Sequence, residues 1–160
     1  MNDQLLRHLN ISADLVVEFM AVFSRFEYAL KSTDFADGGP ARVDPAWDRF
    51  ANHIHEQLIA ANDKSLNKAR IYLLEEPPRK QVLIDGELKF SDQTIDTNQC
   101  STQQLLKMVR TIRNNLFHGG KYCPDGEIEA GRNQRLIEAS LEVLSNCCHL
   151  HDKVSASYER

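Results

Sequence analysis

The segment RNNLFHGGK, residues 113–121, concentrates side chains that can bind or cleave a phosphodiester. Arg113 offers a planar set of N–H donors that matches phosphate oxygens and stays charged at neutral pH. His118 carries an imidazole, the side-chain group that most often moves a proton to or from a reacting group in enzymes. RNA has its own nucleophile in the 2′-hydroxyl, so an arginine and a histidine can cleave it without a metal ion. The segment therefore predicts chemistry on RNA rather than on DNA, which lacks that hydroxyl.

This segment lies in a basic island of an acidic chain. The formal net charge is −4, yet residues 97–124 hold no acidic residue and include Lys107, Arg110, Arg113 and Lys121. The window therefore sums to +4 and the remainder of the chain to −8. A local excess of positive charge is enough for an anion-binding surface, although charges clustered on a solvated face would give the same pattern.

Apolar residues at helical spacing predict the elements of the first half of the chain. A first helix spans Ser12 to Lys31 with Ser12 as its N-cap, and the segment DFADGGP ends it as a loop. Asp44 and Pro45 suit the cap and first position of a second helix. A third helix must end before Pro77-Pro78, because the residue before a proline avoids the α conformation.

The second half begins with a hairpin signal and continues with the helix that carries the motif. Asp85-Gly86 separates two short apolar runs, which is typical of a two-residue β-hairpin around residues 81–90. Ser101 and Gln104 have the spacing of a capping box at the start of the next helix. Gly119-Gly120 is expected to end that helix just after His118.

A last helix, roughly residues 132–157, completes a predicted all-α fold of about four or five helices with one small hairpin insertion. One domain is expected over residues 1–160. Four cysteines without a CxxC pair indicate free thiols. The histidine pairs do not suggest a metal site, and no segment reads as a signal peptide or a membrane span. A cytoplasmic protein is therefore expected.

Residues 113–118 resemble the R-x4-6-H motif of HEPN domains, including the polar residue that often follows the arginine. The wider string VRTIRNNLFHGGK is similar to the form found in bacterial HEPN proteins, and FMAVFSRFEYALK is similar to their first helix. The resemblance covers most of the chain apart from the hairpin region. It implies a HEPN-like bundle and a metal-independent endoribonuclease that needs no cofactor.

The resemblance also implies roles and partners. Arg113 would stabilise the phosphate charge, His118 would act as general acid or base or orient the 2′-hydroxyl, and Asn114 would assist. Such enzymes are usually homodimers with one composite cleft, and some are toxin or phage-defence effectors. The expected partners are therefore RNA, a second copy of the chain and an antitoxin or regulatory protein. The alternatives are a HEPN module that binds or dimerises without cleaving, and a helical structural protein in which RNNLF merely caps a helix.

Four further residues are expected to support the motif or to bind the substrate beside it. Glu27 falls at the edge of an apolar helix face, where a carboxylate is costly unless it is paired or reaches water. It is therefore expected to hydrogen-bond Arg113 or Arg110 and to fix the guanidinium. Arg110 either extends the phosphate surface or makes a structural ion pair. Lys121 and Tyr122 are candidate substrate-binding residues.

The spacing of the motif raises a geometric question. Five residues on a straight helix separate Arg113 and His118 by about 140° around the axis and about 7.5 Å along it. The two side chains therefore do not face each other as an i,i+4 pair would. Either both reach one phosphate lying across the helix end, or the last turn unwinds at Gly119-Gly120 and swings His118 round.

Overall fold

The computed structural model describes residues 10–118 and 129–160, which contain six α-helices, four short strands and a 3-10 turn joined by loops. None of these helices is long and apolar enough to cross a membrane. In chain order the elements are α1 (Ala13–Lys31), β1 (Ala36–Gly39), β2 (Arg42–Pro45), α2 (Trp47–Ala60), α3 (Lys64–Glu75), β3 (Lys80–Ile84), β4 (Glu87–Ser91), α4 (Ser101–Phe117), α5 (Arg132–Cys147) and α6 (Asp152–Tyr158).

The prediction of an all-α fold with one hairpin is wrong, because the structure is mixed and contains two small antiparallel sheets. β3 and β4 form the expected hairpin, with Leu83 opposite Leu88. β1 and β2 form a second one in the segment that was expected to be a loop, with Ala36 opposite Pro45. Pro45 therefore belongs to a strand and not to the first turn of α2, whose N-cap is Ala46. Helices still dominate the fold.

The predicted helix ends are partly right. Ser12 caps α1 as expected, because its hydroxyl accepts the N–H of Leu15 at 3.1 Å. The start of α4 is displaced by one residue from the prediction, since the side chain of Gln103 accepts the N–H of Cys100 at 3.0 Å. The last helix is not continuous, because a 3-10 turn at Cys148–Leu150 separates α5 from α6. Gly119-Gly120, the expected end of α4, lies outside the described residues.

An aromatic cluster joins α1 to α2 in the core. Phe26 stacks on Trp47 with ring centroids 5.5 Å apart and meets Phe50 edge-on at 5.5 Å. Phe23 lies 5.6 Å from Trp47. α4 packs against α2 and α3, and α5 packs against α1 and α3. These contacts bury the apolar face of α4, so its polar face is left toward solvent.

The cysteines of the described residues are free thiols, as the sequence indicated. Cys147 and Cys148 are buried beside each other at the end of α5. Burial raises the pKa of Cys148 to about 11 and raises the pKa of Cys147 as well. Both thiols therefore stay protonated at neutral pH and are poor nucleophiles there. Cys123 lies outside the described residues.

Gly38 provides a test of the unexpected β1–β2 hairpin. Its φ is +130°, and a Cβ added there would overlap the carbonyl oxygen of Arg42. We expect Gly38→Ala to lower the free energy of unfolding by about 1–3 kcal/mol, because the backbone would be strained. Urea unfolding followed by circular dichroism measures the change.

Gly39→Ala is the matched control for this substitution. A Cβ at Gly39 would meet no atom within 4 Å, and the residue does not have a positive φ. We expect it to leave the midpoint of urea unfolding almost unchanged. Equal midpoints for the two alanine variants would contradict the hairpin geometry.

Candidate functional site

Arg113 is held at the edge of the core by three contacts. Its Nη2 donates to Glu27 Oε1 at 3.2 Å, and its Nη1 donates to Asn114 Oδ1 at 2.9 Å. Its Cζ lies 4.8 Å from the centroid of the Phe23 ring, within the range of a cation–π contact. The hydrogen bond expected for Glu27 is therefore present, and Arg113 rather than Arg110 is the donor. These contacts fix the orientation of the guanidinium.

The Glu27–Arg113 pair also affects the charge of the site. The two side chains are 23% and 29% exposed, so solvent screens their attraction only in part. Within the pair the carboxylate cancels the formal charge of the guanidinium. Arg113 consequently offers directed N–H donors more than net positive charge.

Arg110 occupies a similar position one turn earlier on α4. Its Cζ lies 5.7 Å from the centroid of the Trp47 ring, which itself contacts Phe23. Two adjacent rings thus support two arginines. Within residues 10–118 and 129–160, neither Arg110 nor Lys107 forms an ion pair with a carboxylate. The structural ion pair, one of the two roles expected for Arg110, is therefore not found in the described residues.

His118 ends α4 as an exposed C-cap residue with φ −96° and ψ 25°. Its backbone N–H donates to the carbonyl oxygen of Asn114 at 2.9 Å. The imidazole has no hydrogen-bond partner among the described residues. The ring is therefore accessible to a ligand, and no neighbouring side chain in this part of the chain fixes its orientation.

Asn114 is the residue that links Arg113 to His118. It precedes His118 by four residues, so the two side chains lie on one face, about 40° apart around the axis. Its Oδ1 already accepts from Arg113. No hydrogen bond joins Arg113 directly to His118 in the described chain. A phosphate near the Asn114 amide would therefore have the guanidinium on one side and the imidazole on the other.

A pocket of about 290 Å³ lies on the same face of α4 as Asn114. Asp48 reaches it from the first turn of α2, and Gln99 from the segment before α4. The full lining consists of Asp48, Gln99, Lys107, Arg110, Thr111 and Asn114. Asp48, Gln99 and Thr111 were not candidates from the sequence. The spacing of Lys107, Thr111 and Asn114 was a usable signal for one helix face, whereas nothing local indicated Asp48 or Gln99.

Of the remaining residues of the motif region, one has a structural role and two lie outside the described residues. Asn115 of the motif is buried and donates from Nδ2 to the carbonyl oxygen of Arg79 at 2.7 Å, so its role is structural. Lys121 and Tyr122, the expected substrate-binding residues, lie outside the described residues. No group of three or more His, Cys, Asp or Glu side chains that could hold a metal ion is found in residues 10–118 and 129–160.

Comparisons with known proteins do not assign the chain to a family. The chain matches no protein-family model, no curated protein and no solved structure.

The Glu27–Arg113 pair leads to a prediction about stability. We expect the coupling free energy between Glu27→Ala and Arg113→Ala to be about 0.5–1 kcal/mol at low salt, because the pair is only partly buried. The coupling should shrink in high salt, which screens the charges. A double-mutant cycle of urea unfolding measures it.

Glu18→Ala is the control for the carboxylate of this cycle. Glu18 is exposed on the same helix and forms no ion pair among the described residues. Combined with Arg113→Ala, it should give no coupling. A coupling near zero for Glu27 at low salt would show that the contact does not fix the guanidinium.

Proposed function

We propose that the protein is a metal-independent endoribonuclease that cleaves RNA by attack of the 2′-hydroxyl on the adjacent phosphate. The observation that carries this proposal is the arrangement around Asn114. The guanidinium of Arg113, fixed by Glu27 and Phe23, bonds the Asn114 side chain, and the exposed C-cap residue His118 follows Asn114 by four positions. The resemblance of residues 113–118 to the HEPN motif supports the same assignment.

Each residue has a defined task in this reaction. A guanidinium carries five N–H groups, and Glu27 and Asn114 accept two of those of Arg113. The others can donate to the phosphate oxygens, where negative charge develops. The bond from the 2′-oxygen to phosphorus forms while the bond from phosphorus to the 5′-oxygen breaks. His118 takes the proton from the 2′-hydroxyl or gives one to the 5′-oxygen.

A second copy of the chain would complete the site. One imidazole cannot at the same moment accept the first proton and supply the second, whereas two histidines from two protomers can. We therefore propose a homodimer with a composite cleft, acting in the cytoplasm. In a toxin or phage-defence system, an antitoxin or regulatory protein would cover this cleft.

A second candidate function is RNA or protein binding without cleavage. Two observations favour it: Glu27 cancels the charge of Arg113, and no described side chain orients the ring of His118. In such a module Lys107 and Arg110, which form no ion pair in the described residues, would bind the partner. RNA cleavage distinguishes this function from the first.

The deciding experiment is to incubate the purified protein with a structured and an unstructured RNA in the presence of EDTA. We expect cleavage that leaves 2′,3′-cyclic phosphate and 5′-hydroxyl ends, and no cleavage where a single 2′-deoxynucleotide replaces the nucleotide that supplies the 2′-hydroxyl. Products with 5′-phosphate ends would contradict the mechanism. Intact RNA under all conditions would favour the binding module. Sedimentation at the assay concentration tests the dimer, which a species of single-chain mass would exclude.

A further inference from the structure

The pocket beside Asn114 combines positive charge with hydrogen-bond acceptors. Lys107 and Arg110 are cations without an ion-pair partner in the described part of the chain, and both line it. Trp47 supports the guanidinium of Arg110 at 5.7 Å, so this group is partly oriented before any ligand binds. Two such cations fit one phosphate group.

The pocket also contains two hydrogen-bond acceptors, which a ligand with N–H or O–H donors would satisfy. The exposed carboxylate of Asp48 lines it and forms no ion pair with a described residue. Gln99 also lines it, and its Oε1 is buried without a hydrogen-bond partner among the described residues. A buried acceptor without a donor is unfavourable, so a rotation of the Gln99 side chain that turns Oε1 into the pocket would let a ligand N–H or O–H satisfy it.

The size and position of the pocket restrict the ligand further. A volume of about 290 Å³ is at the small end for ligand sites and suits a single nucleotide. Lys107, Thr111 and Asn114 follow one another on one face of α4, and His118 continues that face. A nucleotide in the pocket would therefore be close to the phosphate that the motif is proposed to cleave.

We propose that this pocket binds one nucleotide of single-stranded RNA and selects a base with an exocyclic amino group. Lys107 and Arg110 bind its phosphate, while Asp48 and Gln99 accept from the amino group. Cytosine carries an amino group at C4, where uracil carries a carbonyl oxygen, so cytosine is preferred over uracil. This inference deepens the proposed ribonuclease function and rests on it for its biological meaning, but binding can be measured without cleavage.

The test uses 2′-O-methyl oligonucleotides, which lack the attacking hydroxyl, and follows binding by fluorescence anisotropy. We expect the full chain to bind oligo-C at least about fivefold more tightly than oligo-U. Lys107→Gln and Arg110→Gln should each weaken binding of both by about tenfold or more, because each removes a charged contact. Asp48→Asn should reduce the preference for oligo-C, because an amide can also donate to uracil.

Lys68→Gln is the control, since it removes the same charge from an exposed site on α3. Circular dichroism and thermal unfolding show that each variant is folded. Unchanged binding by folded Lys107→Gln and Arg110→Gln would overturn the pocket as the binding site. Weakened binding with equal affinity for oligo-C and oligo-U would overturn base selection. Cleavage of unmodified RNA by a protein that fails this test would reject the pocket alone, whereas binding without cleavage would reject the ribonuclease.

Discussion

Replacing His118 with alanine should lower the rate of RNA cleavage by at least about 100-fold, the usual contribution of a general acid or base. The loss should come from chemistry and not from folding. The imidazole is exposed and has no partner in the described residues, and the C-cap hydrogen bond uses the backbone N–H, which alanine keeps. The free energy of unfolding is therefore expected to change by less than about 0.5 kcal/mol.

Single-turnover kinetics with protein in excess separates this chemical loss from weaker RNA binding. The control is His149→Ala, the same substitution at another exposed histidine, which lies in the 3-10 turn after α5. It should cleave at the rate of the unaltered protein. Cleavage by His118→Ala at that rate, or an equal loss in both variants, would remove His118 from the proposed mechanism.

The contact between Glu27 and Arg113 illustrates what the sequence can predict. A carboxylate at the edge of an apolar helix face needs a partner, and the basic motif offered two arginines one turn apart. The helical phase of α1 and the cost of a partly buried carboxylate were sufficient for this prediction. It predicted a contact across 86 positions of the chain, which the structure contains. Which of the two arginines donates depends on the packing angle of the helices, and the sequence does not determine that angle.

The β1–β2 hairpin shows why the fold class was predicted wrongly. Its strands, ADGG and RVDP, contain almost no apolar alternation, because the sheet is held by backbone pairing and most of its side chains are exposed or half-buried. Glycine and proline in such a segment signal only that a helix ends. The positive φ of Gly38 makes the pairing possible, and a sequence alone does not distinguish that use of glycine from a plain loop.

The break between α5 and α6 was missed for a related reason. No glycine or proline occurs at the 3-10 turn Cys148–Leu150, and the apolar spacing continues through it. The backbone changes at His151, with φ −146° and ψ 120°, and its ring accepts the N–H of Val154 at 3.4 Å to begin α6. Histidine is not among the preferred N-cap residues, so this signal is weak.

The pocket residues Asp48 and Gln99 were missed because only tertiary packing brings them to α4.

The largest effect on stability is expected from Phe26→Ala. Phe26 is fully buried, stacks on Trp47 with an interplanar angle of 10° and meets Phe50 edge-on. Removing its ring leaves a cavity between α1 and α2, and such truncations lower the free energy of unfolding by about 3–5 kcal/mol. That is a large part of the stability of a typical domain, about 5–15 kcal/mol. Phe117→Ala, at a ring that is 49% exposed, is the control and should change stability far less.

The same variant should also disturb the candidate site, because Trp47 connects the core to it. One side of Trp47 packs on Phe26, and its ring also supports the guanidinium of Arg110. Trp47 is the single tryptophan of the chain, so its fluorescence reports directly on this cluster. We expect Phe26→Ala to shift the native emission and, in the folded fraction, to weaken binding of 2′-O-methyl RNA. A destabilised variant that keeps native emission and full affinity would show that the ring does not position Arg110, and its loss of stability would then reflect the cavity alone.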